Sequence, residues 1–253
     1  MNPAASDHAV GVASPRVLAV EHEESCPPAL VGEWLTGAGC TLEVCRPYAG
    51  DALPALTSYD GVLVLGGEMG ADDDHLHPWL SPLKAGIRDA VAVGTPLLGI
   101  CLGHQLVATA LGGVVGRNPL GRTVGLQPLG WSDDAATDEL FGVCSGDERA
   151  IHWNDDVVVE LPDGAVVLAR TPGGEVQVAR FAPRVWGVQS HPEADAAIIE
   201  RWLATEREDE TFDPQAVLTS IEAATAALTS WWQPVATRFA ALVADDAGKE
   251  PSP

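Results

Sequence analysis

Cys101, His191 and Glu193 are the residues whose types and settings point to covalent chemistry. The cysteine lies in Thr95-Pro96-Leu97-Leu98-Gly99-Ile100-Cys101-Leu102-Gly103-His104-Gln105-Leu106, where a short apolar run meets a cysteine with glycine two residues away on each side. Gln105 to Leu111 then read as a helix, so the pattern is strand, sharp turn, helix. A nucleophile on such a turn sits in a strained backbone conformation, and flanking glycines let strand and helix approach without a Cβ clash. The turn also places Cys101 at a helix N-terminus, where unpaired N–H groups and the dipole favour an anion, and it frees the Leu102 N–H to face an oxyanion. Taken alone, the stretch also fits a buried cysteine in an ordinary βα turn.

His191 changes that balance. The Val-rich run Val185 to Gln189 leads straight into Ser190-His191-Pro192-Glu193, so the imidazole emerges at a strand end. There it can serve as base for the thiol, and Glu193 can turn back to hold it in one tautomer. A lone His-Pro-Glu marks a turn before a helix; its pairing with a glycine-flanked cysteine about ninety residues upstream is far rarer. A third strand end, Gly66-Gly67 after Asp60 to Leu65, offers a second backbone donor beside Leu102, although the pair read alone is a tight turn.

The elements that must carry these groups alternate. Arg16–Val20 and Thr41–Cys45 read as strands around a helix over Pro28–Gly37. The continuous apolar run after Asp60 reads as a central parallel strand, and a helix from about Pro82 to Val93 precedes the cysteine strand. This predicts an α/β fold with a doubly wound, mostly parallel sheet whose site lies at the carboxyl ends of the strands. Gly112 to Leu129 and Arg149 to Val188 are β-rich, and the short strands Ala165–Ala169, Val176–Phe181 and Val185–Gln189 predict an antiparallel meander extending the sheet.

Composition bounds the rest. A chain of 253 residues that is 46% hydrophobic suffices for one large domain with an appendage. Residues 1–15 read as a disordered tail with no secretory pattern, and the expected location is cytoplasmic. A formal charge of −22 argues against nucleic acid and anionic membranes as partners, and no apolar run is long enough to span a bilayer. Five cysteines, odd in number and without a CxxC pair, read as reduced thiols. The loop Asp72-Asp73-Asp74-His75-Leu76-His77 lacks metal-ligand spacing and reads as a solvated loop, so no metal is assigned.

Gly99 to Gln105 (Gly-Ile-Cys-Leu-Gly-His-Gln), Trp186 to Glu193 (Trp-Gly-Val-Gln-Ser-His-Pro-Glu) and the Val-Leu-Gly-Gly strand end at Val64 to Gly67 closely resemble the class I (triad) glutamine amidotransferases. The nearest branch is that of stand-alone proteins similar to the amidotransferase domain of GMP synthase, and the resemblance covers about Val17 to Trp202. It implies a flavodoxin-like domain over 16–205, no cofactor, and a glutamine or γ-glutamyl substrate. Cys101 would attack the γ-amide carbon, His191 would shuttle the proton, Glu193 would orient His191, and Gly67 with Leu102 would hold the oxyanion. Gln105, Gly66, Trp153 and Asp155 would bind substrate. The sequence departs from the family at Asn154, where related proteins carry histidine, and at Gly66 to Gly70 (Gly-Gly-Glu-Met-Gly), where a Gly-Gly-Pro-Gly form is usual.

No P-loop and no Ser-Gly-Gly-Val-Asp-Ser nucleotide loop occur, so ammonia put to use must pass to a separate synthase subunit. The alternatives are a stand-alone γ-glutamyl peptide or amide hydrolase and a non-catalytic regulatory binding protein; the intact triad speaks against the latter. Glu206 to Glu210 reads as a linker, and 211–245 as a helical appendage with one apolar face that Pro234 divides in two. Trp231 and Trp232 fit either partner docking or packing against the domain. The oligomeric state is open.

Overall fold

A computed structural model describes residues 13–144, 146–205 and 212–247. The amino-terminal half alternates as expected: β1 (Arg16–Val20), α1 (Ala29–Gly37), β2 (Thr41–Cys45), β3 (Gly61–Val64), α2 (Leu80–Val93), β4 (Leu97–Ile100) and α3 (Leu102–Ala110). The second half is strand-rich, with β5 (Val114–Arg117), β6 (Thr123–Pro128), β7 (Gly130–Trp131), β8 (Arg149–Asn154), β9 (Asp156–Glu160), β10 (Val166–Arg170), β11 (Val176–Ala182) and β12 (Val185–Val188). Two helices follow, α4 (Ala196–Thr205) and α5 (Pro214–Ala247).

Eight strands form the main sheet in the order β2-β1-β3-β4-β12-β11-β10-β7. From β2 to β12 all neighbours are parallel, and β12, β11, β10 and β7 run antiparallel. This is the expected flavodoxin-like sheet with its antiparallel extension. β12 is the pivotal strand: it lies beside β4 with Val188 opposite Ile100, so the cysteine and histidine strands end side by side. All four residues of β3, of β4 and of β12 are buried, as their unbroken apolar runs require of strands covered on both faces.

Strand alternation sorts the core into two layers. Val17 and Ala19 face one side with α1, α4 and α5, whereas Leu18 and Val20 face the other with α2 and α3.

β10 to β12 form the expected antiparallel meander on the main sheet, and β5 pairs with β9 and β6 with β8 as separate antiparallel ribbons. One feature differs from the sequence reading: Pro234 does not divide the appendage, and α5 is one helix of 34 residues. Trp232, Val235, Ala236, Phe239 and Val243 are buried on both sides of the proline, so packing holds the helix continuous despite the lost hydrogen bond. The appendage lies back on its own domain, against α1, α4, β6 and β8. Trp232 Nε1 donates to the Arg149 carbonyl oxygen at 3.3 Å. Residues 1–12 of the expected tail and the linker Glu206 to Glu210 fall outside the described residues. Among the described residues no helix is long and apolar enough to cross a membrane.

Candidate active site

Cys101 occupies the turn between β4 and α3 with φ 50° and ψ −107°, a region that costs a non-glycine residue about 1–3 kcal/mol. The flanking glycines have steric reasons to be there. A Cβ on Gly99 would lie 2.5 Å from the Gly103 carbonyl carbon, and one on Gly103 would collide with the Val64 carbonyl oxygen. Only bare backbone lets α3 seat against β3 and β4 at this distance. The Cys101 N–H donates to the Val188 carbonyl at 2.8 Å, and the Cys101 carbonyl accepts the first helical bond, from Gln105 N at 3.1 Å. Leu102 is the first helical residue, so its N–H is among those an α-helix leaves without an internal partner.

His191 stands just past β12, its N–H bonded to the Ile151 carbonyl at 2.8 Å. Its ring Nδ1 meets Glu193 Oε1 at 2.7 Å, and both side chains are almost fully buried. The other nitrogen, Nε2, is buried and has no hydrogen-bond partner. Burial pulls the imidazole's pKa down, but the neighbouring Cys101 sulfur and Glu193 carboxylate outweigh it, and the net shift is well upward from 6.5. The ring packs edge-on against Trp202 of α4 with centroids 4.7 Å apart.

The two glycines after β3 reach the same point. A Cβ on Gly66 would lie 3.3 Å from His191 Cε1 and 3.6 Å from Cys101 Cβ, and one on Gly67 would lie 3.0 Å from Leu102 Cδ2. The Gly67 backbone therefore packs against the Leu102 side chain. Gln105 is buried and uses both amide hydrogens, donating to the Asp156 carbonyl at 3.0 Å and to Gln189 Oε1 at 3.2 Å. Its own Oε1 is what remains for a ligand.

A cleft of about 670 Å³ opens over Cys101 and His191. Gly67, Gln105, Trp153 and Asp155 line it, whereas Glu193 and Leu102 lie behind the lining and Gly66 flanks it. Asp155 pairs with Arg117 at 3.3 Å, and Trp153 lies under the Arg122 guanidinium and against Trp202. In the Asp72 to His77 loop, Asp73 accepts from Gly70 N at 2.7 Å and Asp74 pairs with Lys84 at 2.6 Å.

Several site neighbours were not singled out from sequence. Gln189 Nε2 approaches Cys101 Sγ at 3.7 Å, linking thiol, Gln189 and Gln105 in one chain. Its place two residues before His191 was the available signal. Glu23 fastens the glycine loop, its Oε2 accepting from Glu68 N at 3.3 Å while Oε1 accepts from Ser25 Oγ and Cys26 Sγ. Cys26 lines the cleft, and burial, then Glu23, push its thiol pKa upward. Trp202 Nε1 donates to the Ser25 carbonyl at 2.9 Å. Nothing local in the sequence marks Glu23, Cys26 or Trp202.

A doubly wound parallel sheet with a strained cysteine at one strand end, and a carboxylate-held histidine at the next, defines an α/β protein with cysteine acyl-transfer geometry. The glutamine amidotransferase class-I family matches residues 33–201, and the chain belongs to that family of cysteine-dependent enzymes. It is 33% identical over 157 residues to a subunit of the glutamine-hydrolysing GMP synthase of Halobacterium salinarum, covering 60% of this chain and 78% of that protein. The protein of the same name from Saccharolobus solfataricus is 35% identical over 159 residues, covering 61% of this chain and 77% of its own. A glutamine amidotransferase from Thermotoga maritima superposes with a TM-score of 0.81 at 25% identity, covering 90% of this chain and 98% of that one.

Proposed function

We propose that Cys101, His191 and Glu193 form a catalytic triad that hydrolyses the γ-amide of glutamine, and that the ammonia passes to a separate synthase subunit. The observation that carries the reading is the state of the His191 ring. Nδ1 is held by Glu193 at 2.7 Å, Nε2 is buried on the opposite side of the ring, and the His191 Cε1 and Cys101 Cβ lie 3.3 and 3.6 Å from one point beside Gly66. That leaves Nε2 to take the thiol proton and return it to the departing nitrogen. The sulfur attacks the γ-carbonyl carbon, and the tetrahedral oxyanion is met by the Leu102 and Gly67 N–H groups. Collapse breaks the C–N bond and leaves a γ-glutamyl thioester. Water, deprotonated by His191, then releases glutamate and restores the thiol.

Gln105 Oε1, Trp153 and Asp155 hold the amino-acid end of the substrate. Separate delivery of ammonia is supported by the two archaeal relatives, each of which is named as one subunit of a glutamine-hydrolysing synthase.

The test is release of glutamate from glutamine by the purified chain, alone and with an ATP-dependent synthase subunit. Cys101→Ala and His191→Asn should each lower kcat by about 10³-fold or more. Glutamine turnover that survives in Cys101→Ala refutes the assignment.

A further inference from the structure

We propose that Cys26 and Cys101 are a redox pair: hydrogen peroxide oxidises Cys101, and Cys26 captures the product as an intramolecular disulfide that a dithiol reverses. The inference uses the cysteine of the triad but neither glutamine nor a partner subunit.

All five cysteines carry free thiols, and two of them, Cys26 and Cys101, line the cleft. They stand on either side of Gly66. A Cβ there would lie 3.7 Å from Cys26 Sγ and 3.6 Å from Cys101 Cβ, ordinary contact distances for a methyl group. Glycine supplies no methyl, so the gap between the two cysteines is open for their sulfurs to turn into. A disulfide spans about 3.5–4.5 Å between its Cβ atoms, the scale of that gap. Cys40, Cys45 and Cys144 are buried in the core and do not line the cleft.

A second observation is independent of the gap: the Cys26 thiol already has a proton acceptor. Cys26 Sγ donates to Glu23 Oε1 at 3.1 Å. Burial, with Glu23 second, keeps this thiol protonated, so it is a poor first target for an oxidant. Cys101, at the start of α3 and facing the cleft, is the sulfur placed to meet peroxide. The turn that carries Cys26 is fastened to the segment that carries His191. Cys26 N–H donates to the Glu23 carbonyl at 3.2 Å, Leu30 N–H to the Glu193 carbonyl at 3.2 Å, and Trp202 Nε1 to the Ser25 carbonyl at 2.9 Å. Pro27 and Pro28 follow directly and stiffen the chain. Cys26 is thus held at the nucleophile by both of its flanks.

The chemistry balances in two steps. Cys101 sulfur attacks a peroxide oxygen, the O–O bond breaks, and water leaves with the thiol proton, giving a sulfenic acid. Cys26 sulfur then gives its proton to Glu23 Oε1 and attacks Cys101 sulfur. The S–O bond breaks as the S–S bond forms, and the departing hydroxide takes the proton from Glu23 and leaves as water. Two thiols are oxidised by two electrons in all, and one peroxide is reduced to two waters.

The experiment treats the purified chain with hydrogen peroxide, alkylates the remaining thiols under denaturant, and maps the unreduced peptides by mass spectrometry. A linked Cys26–Cys101 peptide pair should appear, and titratable thiols should fall by two from the starting five. Dithiothreitol should restore both thiols. In Cys26→Ser nothing captures the sulfenic acid, so further peroxide carries Cys101 to the sulfinic acid, and the fraction of Cys101 thiol that dithiothreitol recovers should be about tenfold lower or more. The peptide map of the unaltered chain needs no variant and decides on its own. Cys101 found as sulfinic acid while Cys26 remains a thiol, Cys101 linked to any other cysteine or to a second chain, or neither sulfur oxidised, each overturns the inference. If the link forms while glutamine turnover continues undiminished, the inference stands and the triad reading fails, so the two are separable.

Discussion

Acidification should destabilise this protein by an amount set by four buried histidines. Burial drives three of them downward from the ordinary pKa of 6.5: His22 to about 3, helped by His77; His104 to about 4, against an opposing Gly187 backbone bond; and His152 to about 3, helped by His191. All three stay neutral in the folded protein between pH 7.5 and 5.5, while their unfolded counterparts take up protons. Each therefore removes about 1.4 kcal/mol of stability over that interval, and the three together about 4. His191 works in the opposite sense. Its folded pKa is raised, so its contribution is fully present below about 6.5 and fades as pH rises toward the folded value, which offsets part of that loss on acidification. The net expectation is a loss of up to about 4 kcal/mol, reduced by the His191 offset. Urea unfolding at half-unit pH steps, followed by tryptophan fluorescence, measures it as a falling midpoint at constant m-value. His104→Gln should cut the pH-dependent loss by about 1.4 kcal/mol, whatever it does to stability at pH 7.5. A midpoint that stays flat or rises from pH 7.5 to 5.5 refutes the reasoning.

Gly103→Ala drives a methyl group into the Val64 carbonyl and should cost about 3 kcal/mol or more, read by the urea midpoint together with loss of Cys101 labelling by iodoacetamide. Gln189→Leu removes the acceptor of one Gln105 amide hydrogen and the donor beside the thiol. Glutamine kcat/KM should fall by about tenfold or more with little change in melting temperature. Phe239→Ala empties a fully buried site where α5 meets the domain and should destabilise by about 3–5 kcal/mol in thermal unfolding.

The cysteine strand, the glycine pair and the His-x-Glu were legible because each is dictated over a few adjacent residues. Backbone strain at Cys101 demands Gly99 and Gly103 within the same turn, and two residues suffice to fold Glu193 back on His191. The alternating half of the sheet was legible for a similar reason, since a strand covered on both faces is apolar throughout. Long-range partners were not. Trp202 meets Ser25 across 177 residues, Gln189 meets Gln105 across 84, and neither contact leaves a periodic trace. The β6–β8 ribbon was invisible because its strands pair across a long excursion through β7. Pro234 misled because its local preference is overridden by apolar packing on both flanks.

β12, at the middle of the sheet, has a consequence for biosynthesis. The amino-terminal strands leave the ribosome with β4 as an open edge, its row of N–H and C=O groups unmatched, until β12 arrives roughly 85 residues later. At about 5–20 residues per second that interval lasts several seconds. Throughout it the nascent chain carries Cys101 without His191 beside it, and an exposed apolar border that other chains can pair with. Insertion of β12 closes the border and delivers His191 to Cys101 in the same event, so the polypeptide completes its sheet and brings this pair together at one step, late in its own synthesis.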